Sequence, residues 1–208
     1  MFATFINYLR DKGNLTTEDL ELVANASVQK RVRKNQYLLE EGEVSNFVGF
    51  VVKGSFRLFR IGDDKQEHIM RLAIENWWIS DFTSFMSGQP SNCYIEALED
   101  SELIRFSKEK WDELLAASPN FKQMIEALTA RNFEAHQNRI FSNISESAEA
   151  RYEKFVQKYP TLYNRIPLYM IASFLGLTRE TLSRVRKQAS KRNYSAIRQH
   201  REKPTDHR

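Results

Sequence analysis

The chain has 208 residues, 41% of them apolar, enough to bury the core of one large domain or two small ones, and no low-complexity tract marks it as disordered. No apolar run approaches the roughly 18 residues of a membrane span, and the start MFATFINYLRDKGN lacks the plan of a secretion signal, so a cytoplasmic protein with no membrane partner is expected. The net charge of +4 divides unevenly: from Ile144 onward 14 basic residues face 6 acidic ones, a balance of +8, whereas the first 143 residues balance at −4. A basic module joined to a mildly acidic one points to nucleic acid as the partner of the basic part.

The first elements are helical. Phe2, Phe5, Ile6 and Leu9 share a face, and Thr16 or Thr17 can cap a second helix in LTTEDLELV. From about Ser27 to Phe106 the apolar residues run in short β-type stretches. Gly42, Lys53-Gly54, Gly62-Asp63-Asp64 and Glu99-Asp100 punctuate them. Such a series predicts an antiparallel barrel or roll. FSKEKWDELLAASPNF returns to helix, and Ser118-Pro119 restarts one that runs to about Phe141 along a stripe of Phe121, Ile125, Leu128, Asn132 and Ala135. That helix would span about 30–35 Å, and its stripe can cover its own roll or a two-fold partner. SNISES, residues 142–147, reads as a polar hinge. An amphipathic helix carrying Tyr152, Phe155 and Val156 then stops at Pro160, and PTLYNRIP reads as loop.

LYMIASFLGLTRETLSRVRK fits a helix-turn-helix position by position. Ala172 is small where two helices approach, Gly176 supplies the turn, and Thr178 caps the second helix. Leu182 and Val185 face inward, leaving Arg179, Glu180, Ser183, Arg184 and Lys187 outside. In a recognition helix, Arg can reach guanine O6 and N7 with two parallel hydrogen bonds, and Glu can accept from cytosine N4. Arg186, Lys187, Lys191 and Arg192 suit phosphates. Beyond them NYSAIRQHREKPTDHR reads as a basic, mobile tail with no wing hairpin.

Roll, long helix, hinge and helix-turn-helix, in this order, resemble the Crp/Fnr family of bacterial transcription regulators. Gly42 and Gly54 stand at turns where that family's roll has glycines, and TRETLSR is similar to its recognition helix. The resemblance implies an α+β fold: a β-roll sensor domain over 1–118, a dimerisation helix and hinge over 119–143, and a winged-helix-like helix-turn-helix domain over 144–192 ahead of the tail at 193–208. It implies a homodimer on palindromic promoter DNA, read by Arg179, Glu180 and Arg184, with RNA polymerase as a further partner. The family's nucleotide cassette, a Gly-Glu-Leu segment followed by an Arg and a small polar residue, departs here. Ser80-Asp81-Phe82 stands at the first position and Ser91-Asn92 at the second, with no Arg or Lys between Arg71 and Arg105. Ser91 offers a phosphate neither charge nor fork geometry, so cyclic AMP is not expected to bind in the usual mode. Trp78, Ser80, Asp81, Phe82, Ser91 and Asn92 remain the candidate contacts for a small-molecule effector, with Trp77 and Phe85 as further lining.

No cofactor or metal is expected: His68 and His136 have no ligand-spaced neighbour, and the lone Cys93 can form neither an internal disulfide nor, by itself, an iron–sulfur cluster. No nucleophile motif or Gly-rich phosphate loop suggests an enzyme. A sensor that acts through a protein partner, without DNA, is the competing expectation.

Overall fold

The computed structural model describes the backbone of residues 1–201 and the side chains of residues 1–190. The chain divides into two compact units, Met1–Gln137 and Asn138–Arg208.

In the first unit, α1 (Phe2–Lys12) and α2 (Thr17–Ala26) precede β1 (Val28–Val32), β2 (Tyr37–Leu39), β3 (Phe47–Lys53), β4 (Phe56–Ile61), β5 (Glu67–Ala73) and β6 (Trp78–Ile79). A short α3 (Phe82–Ser87), β7 (Tyr94–Ala97), β8 (Ser101–Ser107) and α4 (Lys108–Ala117) follow, and then α5 (Pro119–Ser145) begins. The strands form two antiparallel four-stranded sheets, ordered β1-β8-β3-β6 and β2-β7-β4-β5.

The central strands of the first sheet, β3 and β8, are buried on both faces, and strand alternation explains how. On β3, Phe47 and Val51 pack into the space between the sheets with Leu39, Phe56, Leu58, Ile79, Ile95 and Leu103. Val48 and Phe50 face the other way, into a cluster with Phe5, Leu9, Val23, Trp78, Phe106, Trp111, Phe121 and Met124. The second cluster is aromatic-rich, with edge-to-face pairs such as Trp78–Trp111 at 5.7 Å and Phe106–Trp111 at 5.4 Å. Gly54, at φ +99°, makes the β3–β4 turn, and a Cβ there would fall 2.0 Å from the Ser101 hydroxyl.

Asp19 ties the helices together. Its carboxylate accepts from the Thr16 N–H at 2.8 Å and hydroxyl at 2.9 Å, from Asn120 Nδ2 at 2.8 Å and from the Ser118 hydroxyl. Burial pushes its pKa up, but the hydrogen bonds from Ser118, Asn120 and Thr16 outweigh this and hold it at about 2.

In the second unit, the last turns of α5 meet α6 (Ala148–Lys158), α7 (Pro160–Tyr163), α8 (Leu168–Phe174) and α9 (Arg179–Arg201). Three boundaries differ from the sequence reading. The expected hinge at 142–147 is mostly helix, because Ser145 turns its hydroxyl onto the Phe141 carbonyl at 2.8 Å and Ser142 donates to Glu146 at 2.9 Å, so these polar groups are satisfied on the helix itself. The expected loop after Pro160 opens with a helical turn, since proline is preset for a first helical position. The backbone of α9 stays helical past Arg192 to Arg201, where a tail was expected; the side chains of Lys191 and Arg192, and residues 202–208, lie outside the described residues.

Candidate nucleic-acid interface

Helices α8 and α9 are joined by a tight turn. Gly176 adopts φ +64°, and Leu177 N–H bonds to Ala172 O at 2.9 Å, satisfying a carbonyl at the end of α8. Thr178 caps α9, its hydroxyl accepting from Thr181 N–H at 3.1 Å. Leu182 and Val185 are buried with Ile171 and Ala172. With those two positions inward, helical geometry sends Arg179, Glu180, Arg184 and Lys187 to solvent, with Ser183 half-buried beside them. Together with Gln188 they border one open concave patch. Among the described residues, Arg179, Glu180, Arg184 and Lys187 make no ion pair with one another or with neighbours. Arg186 is exposed as well, with its guanidinium 5.3 Å over the Tyr163 ring. Tyr163 accepts a 3.1 Å hydrogen bond from Tyr152, whose pKa is pushed up to about 12, by burial first and by this bond second.

Two arginines not singled out in the sequence hold the turn from behind. Arg139 of α5 donates to Phe174 O at 3.3 Å and lies 4.7 Å over the Phe174 ring. Arg151 of α6 donates to Leu175 O at 2.8 Å and to Asn143 Oδ1 at 3.4 Å. Cations at a helix C-terminus satisfy its orphan carbonyls and oppose its dipole. Nothing in the spacing of Arg139 or Arg151 announces this, because the contacts join residues 24 and 35 positions apart.

The candidate effector residues of the roll are largely engaged with one another. Asp81 caps α3, accepting from Thr83 N–H at 3.1 Å and Ser84 N–H at 3.4 Å, and takes a 2.6 Å hydrogen bond from Ser91. Ser91 in turn accepts from Cys93 N–H at 2.9 Å, and Ser80 donates to Phe47 O at 2.8 Å. Asn92 is exposed. Trp78 belongs to the aromatic cluster beneath the helices, its indole N–H 3.3 Å from the Tyr8 hydroxyl. The Phe82 and Phe85 rings lie 5.9 Å apart, tilted by 52°. The structure brings Asp81 and Ser91 into direct contact and places Trp78 in packed core. Among the described residues no group of His, Cys, Asp and Glu could hold a metal, and no helix is long and apolar enough to cross a membrane.

The cyclic nucleotide-binding domain family matches residues 29–118. An anaerobic regulatory protein of Pasteurella multocida is 24% identical over 183 residues, covering 82% of this chain and 66% of that protein. The transcriptional activator protein anr of Pseudomonas aeruginosa is 24% identical over 187 residues, covering 83% and 75%. Among solved structures, FixK2 from Bradyrhizobium japonicum superposes with a TM-score of 0.71 at 18% identity, over 80% of this chain and 86% of that one.

Proposed function

Because the chain belongs to the Crp/Fnr family of bacterial transcription regulators, we propose that it binds palindromic promoter DNA as a homodimer and regulates transcription without catalysing a reaction. Arg179, Glu180 and Arg184 enter the major groove and read base edges, while Thr178, Ser183 and Lys187 meet the phosphate backbone beside them. One observation supports this reading: among the described residues, long side chains of both signs stand without an ion pair on the leading turns of a helix whose other face is locked by Leu182 and Val185. A structural surface helix commonly pairs such charges with one another at i,i+4 spacing; here they are left for a partner.

The two copies meet along α5. Phe133, Ile140, Phe141 and Ile144 are 65%, 54%, 67% and 80% exposed, and Phe133, Ile140 and Ile144 follow one helical line at i, i+7 and i+11. RNA polymerase is the protein partner such a dimer engages at a promoter. The roll is the sensor, and cyclic AMP is not its effector in the family's usual mode: Asp81, already committed to capping α3, places a carboxylate beside Ser91, where a phosphate would need a cation.

A gel shift on the DNA upstream of the protein's own operon tests the whole reading. A retarded, salt-sensitive complex is expected. Absence of retardation at low salt, with a partner protein captured in its place, favours the DNA-independent sensor. Titration calorimetry with cyclic AMP tests the effector statement, which a micromolar or tighter dissociation constant would refute.

A further inference from the structure

Helix α8 ends, as every helix does, with carbonyls that its own turns cannot satisfy. Ala172 O and Ser173 O are taken by the N–H groups of Leu177 at 2.9 Å and Gly176 at 3.1 Å. Gly176 then swings the chain away at φ +64°. The next two carbonyls are met by cations from other helices: Phe174 O accepts from Arg139 of α5, and Leu175 O from Arg151 of α6. Asn143, one turn beyond Arg139 on α5, completes the contact. Its Oδ1 accepts from Arg151 at 3.4 Å, and a Cβ added at Gly176 would lie 3.4 Å from its Nδ2. The back of the turn thus rests on the end of α5.

The same stretch of α5 carries the exposed apolar residues Ile140 and Ile144. Each follows a clamp residue by one position, so this pair lies about 100° round the helix from Arg139 and Asn143. Both faces fall in one compact unit, which begins at Asn138, inside unbroken helix. The junction of α5 with α6 is crossed as well: Arg151 reaches back to Asn143, and Lys154 to Glu146. The residues that read as a hinge in the sequence are therefore bridged.

We infer that Arg139 and Asn143 are positioning residues for DNA reading: they fix the α8–α9 turn to the stretch of helix that carries the dimer seam, and so set the separation of the two recognition helices and the half-site spacing the dimer accepts. The inference rests on the dimer seam along α5 and on α9 as the recognition helix. One base pair added between half-sites moves the second by about 3.4 Å and turns it by about 35°. Recognition helices held firmly reject that displacement. Helices on loose turns follow it, because engaging the second half-site is an intramolecular step whose strength depends on the geometries the linkage allows.

The test uses the full chain. Arg139→Met keeps an apolar stem against the Phe174 ring and removes the donor; Arg139→Lys returns a donor. Anisotropy is measured on the palindrome from the gel shift, on the same palindrome with one base pair added or removed at its centre, and on a single half-site. The parent is expected to prefer its own spacing by about tenfold or more. Arg139→Met should lose most of that preference while holding its half-site affinity, and Arg139→Lys should recover it. A second arm contains no DNA. With nitroxides on Gln188→Cys in a Cys93→Ser background, dipolar spectroscopy of the dimer should give one narrow distance, broadened by Arg139→Met and by Asn143→Ala. The inference is overturned if Arg139→Met keeps the parent's spacing preference or its distance width, if its half-site affinity falls in step with the palindrome, or if Arg139→Lys behaves like Arg139→Met. A parent that retards no DNA, yet shows a narrow distance that Arg139→Met broadens, keeps the clamp and loses the DNA reading. A parent that binds its palindrome while Arg139→Met changes nothing loses only the clamp.

Discussion

Arg184 lies five residues beyond Arg179, about 7.5 Å along the helix, so the two reach different base pairs. Loss of a bidentate contact to guanine costs about 1–3 kcal/mol. Arg184→Ala is therefore expected to weaken the specific complex by that amount and to relax preference at one base pair. Lys187→Ala should weaken all sequences alike and reduce the salt slope by about one. Fluorescence anisotropy on a panel of site variants measures both, and unchanged preference in Arg184→Ala would remove it from the readers. Asp19 makes a prediction of another kind. Its folded pKa of about 2 lies below the ordinary 3.8, so its contribution is fully present above about pH 4 and is lost as pH falls toward 2. The Tm of the parent should drop steeply over that interval, and Asp19→Asn should be less stable at pH 7 yet show a shallower acid limb.

At the scale of elements, the turn between α8 and α9 depends on residues distant in sequence. Arg151→Ala would leave Leu175 O without its 2.8 Å donor, and a hydrogen bond from a charged group contributes about 1.5–3 kcal/mol. The buried Arg151 Nε has no hydrogen-bond partner among the described residues, so the net loss should be smaller, about 1–2 kcal/mol by chemical denaturation. The clamp was illegible in the sequence because it consists of side-chain-to-carbonyl contacts that no periodicity encodes. The turn itself was legible: Gly176, Thr178, Leu182 and Val185 each impose a local requirement that only a few residue types meet. Helix α5 shows the intermediate case. Phe121, Ile125 and Leu128 read correctly as a packed stripe, but Asn132 and Ala135, which continue it on paper, are exposed. The exposed apolar line of Phe133, Ile140 and Ile144 lies about a third of a turn round the helix, where extending the first stripe does not lead. Ile140→Glu is expected to yield monomers that no longer hold two half-sites; sedimentation at micromolar concentration decides, and an unchanged dimer would move the interface elsewhere.

For the whole molecule, the order of modules was readable because the changes in period are abrupt: helical spacing to Ala26, alternation to Ser107, helical spacing thereafter. The pairing of β1 with β8 was not readable, since it joins Val28 to Arg105 across most of the first unit, and register of that range is set by tertiary packing. This pairing has a consequence for the protein as it is being made. β1 emerges from the ribosome 77 residues before its partner, an interval of roughly 4–15 s at ordinary elongation rates of about 5–20 residues per second. Phe5 and Leu9 wait longer still for Phe106 and Trp111, with which they share one core. The first unit thus cannot close step by step behind the growing chain; it waits for β8 and then closes late, with much of its apolar surface uncovered until that moment. Nascent chains arrested before residue 101 should be degraded rapidly by added protease, and chains arrested well past residue 145 should resist it.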